Sequence, residues 1–248
     1  MDPSRERRDP TDLQKPARQP LLPPAASALP LRCCLLSGGD SRRMGRDKAM
    51  LPHPEGGTWL EHTLDLLARL EAPVTLLSRH TAHLELAQRL GERLAEAQEG
   101  ASTARIIGIR EPSPWEGPLL ALHRLMEQHP QSRLLLCPVD MPWLRVETLR
   151  ALVAAADGDG READGSAVDG SALIHPAHDG ERLQPLLGIY PSSAAVRAHL
   201  AAAVHRGERG LQRWLADQSC RPVPLDPQAL RNVNRPQELG ARAADAPV

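Results

Sequence analysis

The densest cluster of chemistry-bearing residues is the stretch LLSGGDSRRMGRDK, Leu35 to Lys48, which holds three glycines, three arginines, a lysine and two aspartates in fourteen residues. It directly follows the apolar run Leu31 to Leu36. A glycine-rich turn after a strand lets successive backbone N–H groups close around an anion, and a helix starting soon afterwards adds its positive end. Arg42, Arg43, Arg46 and Lys48 supply side-chain cations to the same loop. A second point of interest is Asp140, at the end of RLLLCPVD. A carboxylate ending a buried strand suits Mg²⁺, which takes oxygen ligands and keeps several waters beside one or two carboxylates and substrate phosphates. Together these residues imply phosphate chemistry run by positioning and charge. A plain exposed basic turn and a helix N-cap are the bland alternatives for the loop and for Asp140.

The spacing excludes two familiar phosphate binders, since neither G-x-x-x-x-G-K-S/T nor G-x-G-x-x-G is present. Asp47 is expected to cap or orient the loop. No Ser/His/Asp or Cys/His nucleophilic arrangement is apparent, and the ten histidines, His175 and His178 among them, are expected on the surface or in loops. The polar run DGDGREADGSAVDG, Asp157 to Gly170, starts like a calcium loop but lacks acids where that loop needs them, and reads as a mobile loop.

Positioning these residues requires strands that end on one rim. Leu31 to Leu36, Pro73 to Ser78, Arg105 to Ile109 and Arg133 to Asp140 read as buried strands. Between them lie helical patterns: one opened by a Thr58/Glu61 capping box, one over Ala82 to Gln98, and one over Pro118 to Gln128. LQPLLGIY reads as a later strand and Ser192 to Arg206 as an Ala-rich helix. The alternation predicts an α/β fold with a mostly parallel sheet flanked by helices, with ligands beyond the carboxyl ends of its strands.

Composition narrows the function further. With 30 basic and 31 acidic residues, no Phe and one Tyr, the chain lacks the positive field and aromatic platforms that nucleic-acid binding needs. No apolar run reaches the length of a membrane span. Four cysteines without a CxxC pair fit a reduced, cytoplasmic protein. Residues 1–30 are Pro-rich and charged and are expected to be a disordered extension; 31–242 then form one domain, and 243–248 a tail.

Five segments, in order, resemble the molybdenum cofactor guanylyltransferases. LSGGDSRRMGRDKA is similar to that family's L-A-G-G-x-S-x-R-M-G-x-D-K-A signature. EGPLLAL at 116–122 resembles its G-P-L-A-G segment, and LCPVDMPWL at 136–144 its C-P-C-D-x-P strand end. HDGERLQPLLGIY at 178–190 and NVNRPQEL at 232–239 resemble its H-D-G and N-x-N-T-P segments. Ser37, Arg235 and Trp143 depart from the pattern, and the usual Asn after the second strand is missing.

The resemblance implies a single Rossmann-like nucleotidyltransferase domain that joins GMP from GTP to molybdenum-molybdopterin, with Mg²⁺ as cofactor. It implies nucleotide or cofactor contacts at Leu36, Ser37, Gly38, Gly39, Lys48, Glu111, Gly117, Asp140, Asn232 and Asn234, with Lys48, Asp140 and Arg43 catalytic and Asp140 holding the metal. A monomer is expected, handing its product to a molybdoenzyme or its maturation chaperone, with no nucleic acid or membrane partner. A cytidylyltransferase or other nucleotidyltransferase of the same fold, or a nucleotide-binding regulator without turnover, stays open on the sequence.

Overall fold

The computed structural model describes residues 29–39, 47–97, 105–158, 173–234 and 238. Arg43, most of the expected 1–30 extension, the expected 243–248 tail and nearly all of the polar loop lie outside them. The chain runs through β1 (Leu31–Leu36), a 3₁₀ turn (Lys48–Met50), α1 (Trp59–Ala68), β2 (Val74–Ser78), α2 (Thr81–Ala97), β3 (Ile106–Arg110), α3 (Pro118–Gln128) and β4 (Arg133–Pro138). It continues through α4 (Val146–Gly158), β5 (His175–His178), β6 (Leu183–Pro191), α5 (Ala194–His205), α6 (Leu211–Leu215) and β7 (Val223–Pro224). The seven strands form one sheet in the order β3-β2-β1-β4-β6-β5-β7. The β1–β2, β2–β3, β1–β4 and β5–β7 pairs are parallel, and β6 runs antiparallel to both of its neighbours. The expected mostly parallel α/β sheet is what forms.

The period-two alternation of the central strands divides the core cleanly. Cys33, Leu35, Leu135 and Cys137 pack on one face with residues of α1, α2 and α4 such as Leu64, Leu86 and Leu149. Cys34, Leu134 and Leu136 point the other way, against Leu122, Leu200 and Trp214 from α3, α5 and α6. Tyr190 on β6, the chain's one tyrosine, is fully buried in this second core. With no phenylalanine available, leucine fills most of both.

Local signals act as expected at several ends. Thr58 Oγ1 accepts the Glu61 N–H at 3.1 Å and Glu61 Oε2 accepts the Thr58 N–H at 2.7 Å, completing the capping box of α1. Gly91 does not break α2. A Cβ at Gly91 would lie 2.9 Å from the Ile106 carbonyl oxygen, so the glycine is what lets α2 approach β3. Four elements, α4, β5, α6 and β7, were not anticipated. β7, two residues long, is an edge strand held by its parallel pairing with β5, and the four-residue β5 lies between it and β6.

Candidate functional site

The parallel strands end in register, with Pro138, Leu36, Leu77 and Ile109 forming one cross-strand row. Beyond this row lies a cavity of about 510 Å³. Its lining includes Gly38, Gly39, Asp47, Lys48, Asp140 and Asn234, together with Leu77, Arg79, Glu111, Trp115, Gly117 and Pro118. Leu36 and Ser37 also line it. The structure therefore brings together every described residue of the expected site except Asn232.

Lys48 begins a 3₁₀ turn whose N-cap is Asp47; Asp47 Oδ1 accepts the Ala49 N–H at 3.1 Å. This turn aims the ammonium at the end of β4. Lys48 Nζ donates to Asn234 Oδ1 at 2.7 Å and lies 3.7 Å from Asp140 Oδ2. Asp140 follows β4 in the turn that leads to α4, and its carbonyl oxygen accepts the Val233 N–H at 2.9 Å. That bond docks the segment carrying Asn234 onto the rim. Trp143, Trp59 and Val233 form a small separate apolar cluster beneath the junction.

The electrostatics of Asp140 are unfavourable as it stands. Burial pushes its carboxyl above the ordinary value, and the neighbouring Lys48 offsets only part of that. Oδ1 is shielded from solvent and has no hydrogen-bond partner among the described residues. A buried anionic oxygen without a donor costs free energy unless a cation or a proton meets it. The site thus fits a divalent ion held through Asp140, which accounts for the orphaned oxygen where a helix N-cap does not.

Glu111 follows β3 and is 9% exposed. Burial raises its carboxyl as well, while Arg124 on α3 lowers it through an ion pair at 3.0 Å from Oε1. A Cβ at Gly38 would come within 2.8 Å of Glu111 Oε2, so glycine at that position leaves room for the carboxylate at the back of the loop. Gly117 caps α3 with φ 98°, a left-handed conformation that disfavours any side chain, and Pro118 follows at the first helical position.

Two expectations need correction. Asn232 and Asn234 do not share a role: Asn234 lines the cavity, whereas Asn232 Nδ2 donates to Gln184 Oε1 at 3.1 Å and is not part of the lining. The histidines are not all peripheral. His53, His83, His129 and His175 are buried, His175 within β5.

His83 matters most for the site. Its Nε2 lies 2.7 Å from Asp47 Oδ2, and its Nδ1 lies 2.8 Å from Ser37 Oγ and 2.9 Å from Ser78 Oγ. A Ser/His/Asp chain therefore does assemble, contrary to the sequence reading. Ser37 is only 3% exposed, and the Ser78 hydroxyl donates to its carbonyl oxygen at 2.8 Å. The arrangement is a brace that ties the end of β1, the end of β2 and the Asp47 cap together. No local spacing announces it, because Ser37 and His83 are 46 residues apart.

One further group among the described residues, His53, Glu55 and His62, has metal-ligating atoms within 4.8 Å of one another. None of the three lines the cavity. Both nitrogens of His53 are engaged, one within 2.7 Å of the Pro142 carbonyl oxygen and the other accepting the Glu55 N–H at 3.1 Å. The His53 and His62 rings stack at 3.7 Å. Through His53 this group is tied to Pro142, two residues beyond Asp140.

An α/β sheet whose strand ends carry a glycine turn, a lysine and a half-buried carboxylate around one cavity is built to hold a phosphate-bearing ligand. The family model for the MobA-like NTP transferase domain matches residues 33–223, and the chain belongs to that family. It is 35% identical over 225 residues to a probable molybdenum cofactor guanylyltransferase of Rhodopirellula baltica, covering 88% of this chain and 93% of that one. A protein of the same description from Mycobacterium tuberculosis is 32% identical over 222 residues, covering 88% and 95%. The molybdopterin-guanine dinucleotide biosynthesis protein A of Archaeoglobus fulgidus has the same fold, with TM-score 0.58 at 20% identity over 86% of this chain and 96% of that one. No helix among the described residues is long and apolar enough to cross a membrane.

Proposed function

We propose that this nucleotidyltransferase moves GMP from GTP onto the terminal phosphate of molybdenum-molybdopterin, giving the guanine dinucleotide cofactor and pyrophosphate. The observation that carries the reading is Lys48 and Asp140 facing each other at 3.7 Å across the strand-end cavity, with one carboxylate oxygen unpartnered. The names of the relatives agree with it. Mg²⁺ would be held by Asp140 and would neutralise charge on the transferring phosphate. The remaining work falls to this chain's own groups. The N–H groups of Gly38 and Gly39 meet the phosphates, with Leu36, Ser37 and Gly117 as neighbouring walls. Lys48 attracts the triphosphate as a point charge, Arg43 clamps phosphate or pterin, and Glu111 contacts the nucleoside. Asn234 faces the incoming substrate, while Asn232 holds its segment in place.

The acceptor phosphate is already anionic at neutral pH, so its oxygen attacks the α-phosphorus without a general base, and the bond to pyrophosphate breaks. The obstacle is repulsion between anions, which fixed cations and donors reduce. We place the reaction in the cytoplasm, carried out by a monomer whose domain spans 31–242 and whose product passes to a molybdoenzyme or its maturation chaperone. The test is calorimetric titration with GTP, CTP and ATP, each with Mg²⁺ and with EDTA, followed by pyrophosphate release on adding molybdenum-molybdopterin. Mg²⁺-dependent preference for GTP and stoichiometric pyrophosphate are expected; preference for CTP would move the activity to cytidylyl transfer, and absence of all binding would remove the reading.

A further inference from the structure

Resting on the nucleotidyl-transfer reading, we propose that Trp115 and Arg79 form a preassembled platform that selects the base of the nucleotide, with Glu111 reading the edge of that base. Trp115 is 52% exposed although it lines the cavity. It is nevertheless fixed: its Nε1–H donates to the Glu111 carbonyl oxygen at 3.1 Å, and the Arg79 guanidinium lies 5.0 Å from its ring centroid. An indole held on its edge and by a cation, yet left half open to a cleft, is a stacking surface whose ordering is complete before the ligand arrives. Arg79 directly follows β2 and lines the same cavity as Trp115.

Glu111 completes the set. Its Oε1 is held by Arg124, while Oε2 faces the space over Gly38. Guanine presents N1–H and the 2-amino group as donors on one edge and O6 and N7 as acceptors beside them. A carboxylate meets the donors and a guanidinium meets the acceptors. Cytosine and adenine present a ring-nitrogen acceptor to the carboxylate and an amino donor to the guanidinium, so each would set like against like.

The test compares binding of GTP, CTP and inorganic tripolyphosphate, all with Mg²⁺, by the full-length protein and by its Trp115→Leu, Trp115→Phe and Arg79→Met variants. Tripolyphosphate carries the phosphates without a base. Trp115→Leu is expected to weaken GTP roughly tenfold or more, the range of one lost base stack, with Trp115→Phe restoring most of it. Arg79→Met is expected to lower the preference for GTP over CTP by roughly tenfold, the range of one bidentate base contact. Tripolyphosphate affinity should not change in any variant. Unchanged GTP binding in Trp115→Leu, an unchanged GTP-to-CTP ratio in Arg79→Met, or equal weakening of GTP and tripolyphosphate would overturn the platform while leaving the nucleotide site standing. Failure of the unmodified protein to bind either GTP or tripolyphosphate would overturn the site itself, and the platform with it.

Discussion

Replacing Asp140 with Asn should make the metal-free protein more stable and the enzyme inactive. Asn has nearly the shape of a protonated Asp, so Asp140→Asn removes the charge while keeping the packing. In the folded chain that charge is a burden, because burial raises the Asp140 carboxyl by more than Lys48 at 3.7 Å lowers it, and Oδ1 has no donor among the described residues. A charge on a buried oxygen without a donor costs more than a neutral amide in the same place. With the side chain 24% exposed and Lys48 losing its partner, a net gain of about 1 kcal/mol is expected. For a domain of this size that raises Tm by about 2–4 °C.

The pH dependence has a definite sign. A carboxyl whose folded value lies above its unfolded value of 3.8 binds its proton more tightly in the native state. The unmodified protein therefore loses stability as pH rises from 3.8 through the raised folded value, and the variant does not. The stability difference should grow across that window and then level off. With Mg²⁺ and GTP the order reverses: ligand at a hundredfold excess over Kd adds about 2.7 kcal/mol to the unmodified protein by mass action, and little to the variant. Thermal melts in EDTA and in Mg²⁺-GTP across pH, with turnover alongside, make the measurement. A variant less stable than the unmodified protein in EDTA at neutral pH, or a difference that does not vary with pH, would refute the electrostatic account of this site.

Other perturbations separate chemistry from scaffolding. Lys48→Ala should lower turnover by about 10²–10³-fold, the scale seen when a charge-stabilising group is lost, and should also lower Tm at neutral pH, because Asp140 and Asn234 lose its ammonium. His83→Leu should cost about 1–3 kcal/mol in denaturant unfolding, because it leaves Ser37, Ser78 and Asp47 without a shared partner, and it should raise the KM for GTP through the loosened Lys48 turn. Removal of residues 1–28 should leave both activity and unfolding midpoint in place, since the Leu29 and Pro30 carbonyl oxygens that accept from Arg133 are retained.

The residues that could be read from the sequence share a property: their chemistry sits beside a local signal. Gly38, Gly39 and Lys48 follow an apolar run, Asp140 ends another, and Gly117 precedes a proline that opens a helix. Strand-then-turn spacing places such residues on the rim without knowledge of the rest of the fold. What escaped notice depends on contacts between distant segments. His83 is one residue in an amphipathic helix until the sheet brings Ser37 and Asp47 to it. β5, with the sequence HPAH, has no strand signal and is held by β6 and β7. The i, i+2 spacing of Asn232 and Asn234 would put both on one face of a strand. The chain passes that point instead as an irregular segment anchored at Val233, which turns one asparagine toward Gln184 and the other toward Lys48.

The hydrogen bond between Lys48 and Asn234 spans 186 residues. Its lysine leaves the ribosome well before its asparagine. In the interval the growing chain carries the glycine loop, Lys48 and then Asp140, but not the segment that Val233 anchors to the Asp140 carbonyl. Domains fold as units as they emerge, and partly folded chains are prone to misassembly. A site closed by a segment made so long after its lysine ties a complete nucleotide-binding cleft to a chain already made through Asn234. Occupancy by the nucleotide then becomes a marker of finished folding, and the cell's nucleotide pool would stabilise the finished chain selectively over its precursors.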